Sequence, residues 1–182
     1  SAEPLYPKNW SELNTMTIAF GHGLAVAPLQ AMMAVGALMN GGYLMSPTFI
    51  KRSETEARGS AEQVIKPETS AQMRDLLRYV VTNGTGRKAD IPGYDVGGKT
   101  GSAQVPGPGG RYIPHALRTS FYAAFPVHNP RYIVFVLLDQ PHGTRETGGF
   151  ALASYTAVPI AAKVISRIAP LLGVPNNAPD PV

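Results

Sequence analysis

The sequence predicts an α/β (α+β) arrangement in which an antiparallel sheet is flanked by helices. Three observations lead there. Apolar residues recur at helical spacing up to Asn83, and extended runs take over from about Tyr94. A third stretch, from about Phe150, is apolar and long enough for one closing helix.

The elements follow in order. Residues 1–14 hold two prolines and little periodicity, so they read as an irregular lead-in. Pro28 opens a helix: Leu29, Met32, Met33, Gly36 and Met39 recur at helical spacing, and Asn40-Gly41-Gly42 closes it. Residues 43–50 suit a short extended piece, and the charged, Ser/Glu-rich stretch 51–63 a surface loop. A second helix is expected over Pro67–Asn83, with Met73, Leu76, Leu77, Val80 and Val81 as its apolar stripe and Gly84 at its end. Three strands are expected at Tyr94–Val105, Thr119–Phe125 and Arg131–Leu138. The turns between them are Pro106–Gly110 and the hairpin-length Pro126–Pro130. A loop over Gln140–Gly149 leads to a helix over Phe150–Ala169 with Pro159 inside it, and the Pro- and Asn-rich tail 175–182 is expected to fray.

Composition narrows the function. A length of 182 residues fits one domain or a piece of a larger one, and 44% hydrophobic residues suffice for a core. The net charge is +4, but the sixteen Lys and Arg are scattered, with no basic run interleaved with aromatics, which argues against nucleic-acid binding. The absence of cysteine excludes disulfides and thiolate metal sites. His22, His115, His128 and His142 show no metal-ligand spacing, so no metal and no cofactor is expected, and these side chains read as structural or solvated. Trp10 is expected to pack, Asp139 to cap the turn after its strand, and Arg145 to be a solvated charge at the rim of the site.

The informative segment is Gly97-Gly98-Lys99-Thr100-Gly101-Ser102-Ala103-Gln104-Val105. In an extended strand alternate side chains share a face, so the hydroxyls of Thr100 and Ser102 point the same way. Gly101 leaves the backbone open to close approach, and Lys99 supplies a cation. Together these make a receptor for a carboxylate and for a backbone-paired peptide.

Lys-Thr-Gly is also one of the short motifs of penicillin-binding proteins and serine β-lactamases. Five segments in order resemble the C-terminal part of a penicillin-binding protein transpeptidase domain of the monofunctional class B, division type. These are "FGHGLAVAPLQAMMAVGALMNGGYLMSPTFI", "VVTNGTG", "GGKTGSAQV", "SFYAAFPVHNPRYIVFVLLDQP" and "TGGFALASYTAVPIAAKVI". The family usually has Thr after Lys-Thr-Gly; Ser102 keeps the hydroxyl. The family's nucleophile motif, Ser-x-x-Lys, and its Ser-x-Asn motif are both absent from these 182 residues. The expectation is therefore that residues 1–182 are the C-terminal portion of a transpeptidase domain, with no nucleophile of their own and no activity in isolation.

The resemblance implies a penicillin-binding protein/β-lactamase-like fold and a serine acyl-enzyme that cross-links peptidoglycan stem peptides. It implies roles for four residues: Lys99 and Ser102 catalytic, Thr100, Gly101 and Ser102 substrate-binding. The implied partners are stem peptides ending in D-Ala-D-Ala, β-lactams and other division proteins. The implied location is the bacterial periplasm, with the parent protein held in the inner membrane by a segment outside this chain. Two other readings stay open: a remnant that binds peptide or β-lactam without chemistry, and a serine β-lactamase or D,D-carboxypeptidase. The segments Ser1–Asn14 and 51–63 are expected to be poorly anchored and to leave apolar surface uncovered.

Overall fold

The computed structural model describes residues 2–178. Its centre is a three-stranded antiparallel sheet of β3 (Gly97–Pro106), β4 (Tyr112–Phe125) and β5 (Tyr132–Asp139), in that spatial order. Each face of the sheet has its own cover, and the strand alternation decides which residues go where. Phe121, Ala123 and Phe125 of β4, with Val134 and Val136 of β5, face helix α5 (Ala157–Leu171), which buries Ala157, Val158, Ala161, Ile165 and Ala169 against them. Ala124 and Ile133 point the other way. They meet Met39 of α2 (Pro28–Met39) and Leu77 of α4 (Pro67–Asn83). The expected sheet, covered by the closing helix on one side and by the first two long helices on the other, is what forms.

Local chemistry accounts for the helix ends. Pro28 occupies the first turn of α2, where its missing N–H costs nothing, and the Gln30 side chain accepts the Ala27 N–H at 2.8 Å. Asn40 brackets the exit through two 2.8 Å bonds with the backbone of Tyr43, and Gly41 and Gly42 follow at φ +91° and +103°. The last carbonyls of α2 are satisfied from α4. Fully buried Ser70 donates to Leu38 O at 2.7 Å and Arg74 donates to Met39 O at 3.1 Å, which locks the two helices together.

Several elements depart from the sequence expectations. The lead-in contains a helix, α1 (Glu12–Ile18), because Ser11 and Asn14 form a reciprocal capping box. Trp10 does not pack: it is 60% exposed, and its indole N–H donates to Thr15 at 2.8 Å. Of the stretch 43–50 only Tyr43–Leu44 is a strand (β1). Residues 51–63 are not a plain loop. They hold α3 (Glu54–Gly59), capped by Ser53 and Glu56, and β2 (Glu62–Gln63), which pairs with β1. Leu76 is 58% exposed and lies off the buried face of α4, which is Ser70, Leu77 and Val81.

At the other end, α5 begins at Ala157 rather than Phe150, since residues 150–156 turn so as to bond the sheet. Pro159 therefore falls in the first turn of α5, not its interior. Strand β4 starts seven residues earlier than expected. Its exposed first half, which contains Pro114 and His115 at φ +60°, carries no alternation of hydrophobicity to read. Asp139 does not cap the turn after β5; it pairs across the strands with Arg118 at 2.9 Å. Part of the tail is anchored, because the Asn177 N–H donates to Gly93 O at 3.0 Å. The remainder of the expected frayed tail, 179–182, lies outside the described residues.

Candidate functional site

The Lys-Thr-Gly-Ser run lies on β3, an outer strand of the sheet, one of whose edges pairs with β4. Its start is wedged under other elements. A Cβ on Gly98 would stand 2.3 Å from Tyr122 O and 2.6 Å from the Phe121 ring, so no larger residue fits there. Gly101 meets Ser120, whose Oγ would be 2.6 Å from an added Cβ. A side chain at Gly101 would therefore have to displace the rotatable Ser120 hydroxyl, not backbone.

The register pairs Lys99 with Tyr122, Thr100 with Phe121, Gly101 with Ser120 and Ser102 with Thr119. Thr100 and Ser102 consequently share the side of the sheet that α5 covers, and Lys99 projects from the opposite side. Each hydroxyl has a defined neighbour. The Thr100 and Thr85 hydroxyls are 2.8 Å apart, Thr85 coming from the Gly84-Thr85-Gly86 loop after α4. Ser102 Oγ accepts the Ala153 N–H at 3.1 Å. Thr119 and Thr156 hydroxyls bond each other at 3.0 Å beneath it. Ser102 is exposed and its oxygen accepts one bond, which leaves its O–H free to donate to a ligand. The result is a row of three hydroxyls, Thr85, Thr100 and Ser102, along one strand edge: donors suited to a carboxylate.

Lys99 is exposed and its ammonium donates to Thr100 O at 2.9 Å. Beside it runs an apolar cleft of about 350 Å³, bounded by Val35, Leu38, Met73 and Leu77 of the two helices and floored by Tyr122 and Ala124. Tyr122 stacks on Phe135 with ring centroids 4.2 Å apart, and burial pushes its phenol above the usual value; Lys99 is the one charged side chain among the described residues that line this cleft.

The structure brings Lys99, Thr100, Gly101 and Ser102 together with residues that sequence reasoning missed. Thr85 is one; its short Gly-flanked loop was a signal, but its 2.8 Å bond to Thr100 is a tertiary fact. Arg78 of α4 is another: it donates to Val96 O at 2.8 Å and pairs with Asp90 at 2.9 Å and Asp95 at 3.3 Å, clamping the residues that lead into β3. Asp95 itself sits at φ +46°. The histidines divide. His22 bonds the Tyr112 hydroxyl at 2.8 Å, and His128 lies 3.6 Å from Asp75. His115 and His142 border a separate cavity. Among the described residues no group of three or more His, Asp or Glu side chains is placed to hold a metal ion. Arg145 is exposed in the loop after β5.

Comparison with known proteins gives a consistent result. The chain is 40% identical over 182 residues to the probable peptidoglycan D,D-transpeptidase FtsI of Caulobacter vibrioides, covering 96% of this chain and 31% of that protein. It is 40% identical over 167 residues to the stage V sporulation protein D of Bacillus subtilis, covering 87% of this chain and 25% of that one. Among solved structures, the transpeptidase domain of Burkholderia pseudomallei penicillin-binding protein 3 superposes with a TM-score of 0.83 at 33% identity, over 96% of this chain and 51% of that one. Penicillin-binding protein 3 of Mycobacterium tuberculosis, solved with ampicillin, gives 0.82 at 28% identity, over 99% and 42%. The chain thus spans a quarter to a half of the length of these relatives. The family model for the penicillin-binding protein transpeptidase domain matches residues 3–166, and the chain belongs to that family.

Proposed function

We propose that this chain is the C-terminal portion of a peptidoglycan D,D-transpeptidase and carries its carboxylate-recognition strand. The observation that supports this most is the hydroxyl row of Thr85, Thr100 and Ser102 along an outer strand, with Lys99 on the opposite side. In this reading the stem peptide ending in D-Ala-D-Ala lies along β3, and its terminal carboxylate accepts from Thr100 and Ser102. A serine from the Ser-x-x-Lys motif, supplied outside this chain, attacks the penultimate D-Ala carbonyl. The bond to the terminal D-Ala nitrogen breaks, that amine takes a proton and leaves, and an amine from a second stem then displaces the serine to form the cross-link. Lys99 contributes positive potential beside the nucleophile, and the Ser102 N–H is one of two oxyanion donors. One such donor is worth roughly 3 kcal/mol of transition-state stabilisation. β-Lactams occupy the same strand, the parent enzyme faces the periplasm from a membrane anchor, and other division proteins are its partners.

A second reading, a module that binds without chemistry, is favoured by one observation: no serine in this sequence precedes a lysine by three residues. One experiment serves both. Ampicillin titrated into the chain should shift the amides of Thr85, Thr100 and Ser102 without forming a covalent adduct by mass spectrometry, and Ser102→Ala should weaken the response. An acyl adduct on the isolated chain, or shifts confined to other residues, would overturn the assignment.

A further inference from the structure

The two faces of α5 have different fates. Ala161, Ile165 and Ala169 are fully buried against the sheet, whereas Ile160, Val164 and Leu171 stay exposed, Leu171 at 85%. Successive helical residues are about 100° apart, so these three fall within about 40° of arc. Arg167 and Lys163, both exposed, fall within about 60° beside them. A single exposed apolar residue is ordinary, but three in line along one helix, next to two cations, form an amphipathic outer face.

The charge of this face is one-sided. No Asp or Glu lies in α5, and the short helical turn Arg87–Ala89 packed beside it adds Arg87 and Lys88. Asp90, which follows that turn, is already paired with Arg78 at 2.9 Å. At the C-terminal end the Tyr132 hydroxyl donates to Leu172 O at 3.2 Å, and the Arg131 guanidinium stands 5.6 Å from the Tyr132 ring. Leu171 and Leu172 are therefore flanked by an aromatic ring with a polar tip and by a further cation, the residue types that settle at a membrane interface.

A protein groove deep enough to cover the three apolar side chains would need acids set against Lys163 and Arg167, or would bury those charges unpaired at high cost. An anionic bilayer meets both demands. Aliphatic side chains enter the acyl boundary, and the long stems of Lys and Arg carry their charges up to the phosphates. We propose that the outer face of α5 is a membrane-contact surface for a bilayer rich in anionic phospholipid. Because α5 packs over β4 and β5, such contact leaves the outer edge of β3, with Thr100 and Ser102, open.

Co-sedimentation of the chain with vesicles of phosphatidylglycerol and phosphatidylcholine, against phosphatidylcholine alone, tests this. The anionic vesicles should bind roughly twentyfold more tightly, at about fivefold for each of the two cations. Lys163→Gln combined with Arg167→Gln should remove most of that preference, and Leu171→Ser should weaken binding about tenfold. All three side chains are exposed, so circular dichroism should show the fold retained. A spin-labelled lipid should broaden the amides of 160–171 and spare those of Thr100 and Ser102. No binding to anionic vesicles, equal binding to both vesicle types, or binding that survives the variants and so lies elsewhere on the chain would overturn the proposal. A dimer that Leu171→Ser dissociates, in place of vesicle binding, would overturn it in favour of a second copy.

Discussion

Arg78 offers the sharpest test of how the site is held. Its side chain is 25% exposed, and Arg78→Met keeps the aliphatic stem while removing every donor. The bond to Val96 O at 2.8 Å joins a cation to a carbonyl of a fully buried residue; such bonds are worth about 1.5–3 kcal/mol, and the orphaned carbonyl supplies much of that loss. The pairs with Asp90 and Asp95, whose side chains are 44% and 34% exposed, each add only about 0.5 kcal/mol because water screens them. The expected cost is therefore roughly 3 kcal/mol, dominated by one carbonyl. Urea unfolding of the variant measures the total, and amide exchange at Gly97–Lys99 reports whether the loss is local to the start of β3. Asp90→Asn is the control and should cost no more than about 0.5 kcal/mol. If Arg78→Met costs no more than Asp90→Asn, or if exchange at Gly97–Lys99 is unchanged, Arg78 does not hold the strand.

Two further outcomes are expected. Gly98→Ala should destabilise the chain by about 3 kcal/mol in denaturant unfolding, since the new methyl meets Tyr122 O at 2.3 Å and backbone cannot yield as a side-chain tip can; a cost below about 1 kcal/mol contradicts that packing. The Glu56 carboxyl lies below its ordinary value of 4.5 because the Ser53 N–H and then the Ser53 hydroxyl donate to it. A depressed carboxylate contributes stability above its unfolded value and loses it as pH falls through the folded one. Amide signals of Ser53 and Glu56 should accordingly hold through pH 4.5 and lose their capped positions only below it, while Ser53→Ala, which removes the hydroxyl but keeps the N–H, should move the Glu56 titration only part of the way back toward the ordinary value.

The outline of this protein is written locally. The periodicities over Pro28–Met39 and Pro67–Asn83 and the glycine–proline turns among the extended runs arise from neighbours in the chain, and they place two helices and a three-stranded antiparallel sheet correctly. The Lys-Thr-Gly-Ser run carries its own geometry, since strand alternation alone puts Thr100 and Ser102 on one side. What failed to show did so for identifiable reasons. The capping boxes of Ser11–Asn14 and Ser53–Glu56 make helices too short for any apolar period to appear, and the exposed half of β4 has no buried face to pattern it. The site's supports were out of reach altogether. Thr85 meets Thr100 across fifteen residues, Arg78 meets Val96 across eighteen, and Ala153 meets Ser102 across fifty-one. Sequence fixes which groups a strand can present; only the packing of α4, the loop after it and the turn before α5 against β3 decides which donors surround them, because those contacts are made by chain closure rather than by local conformation.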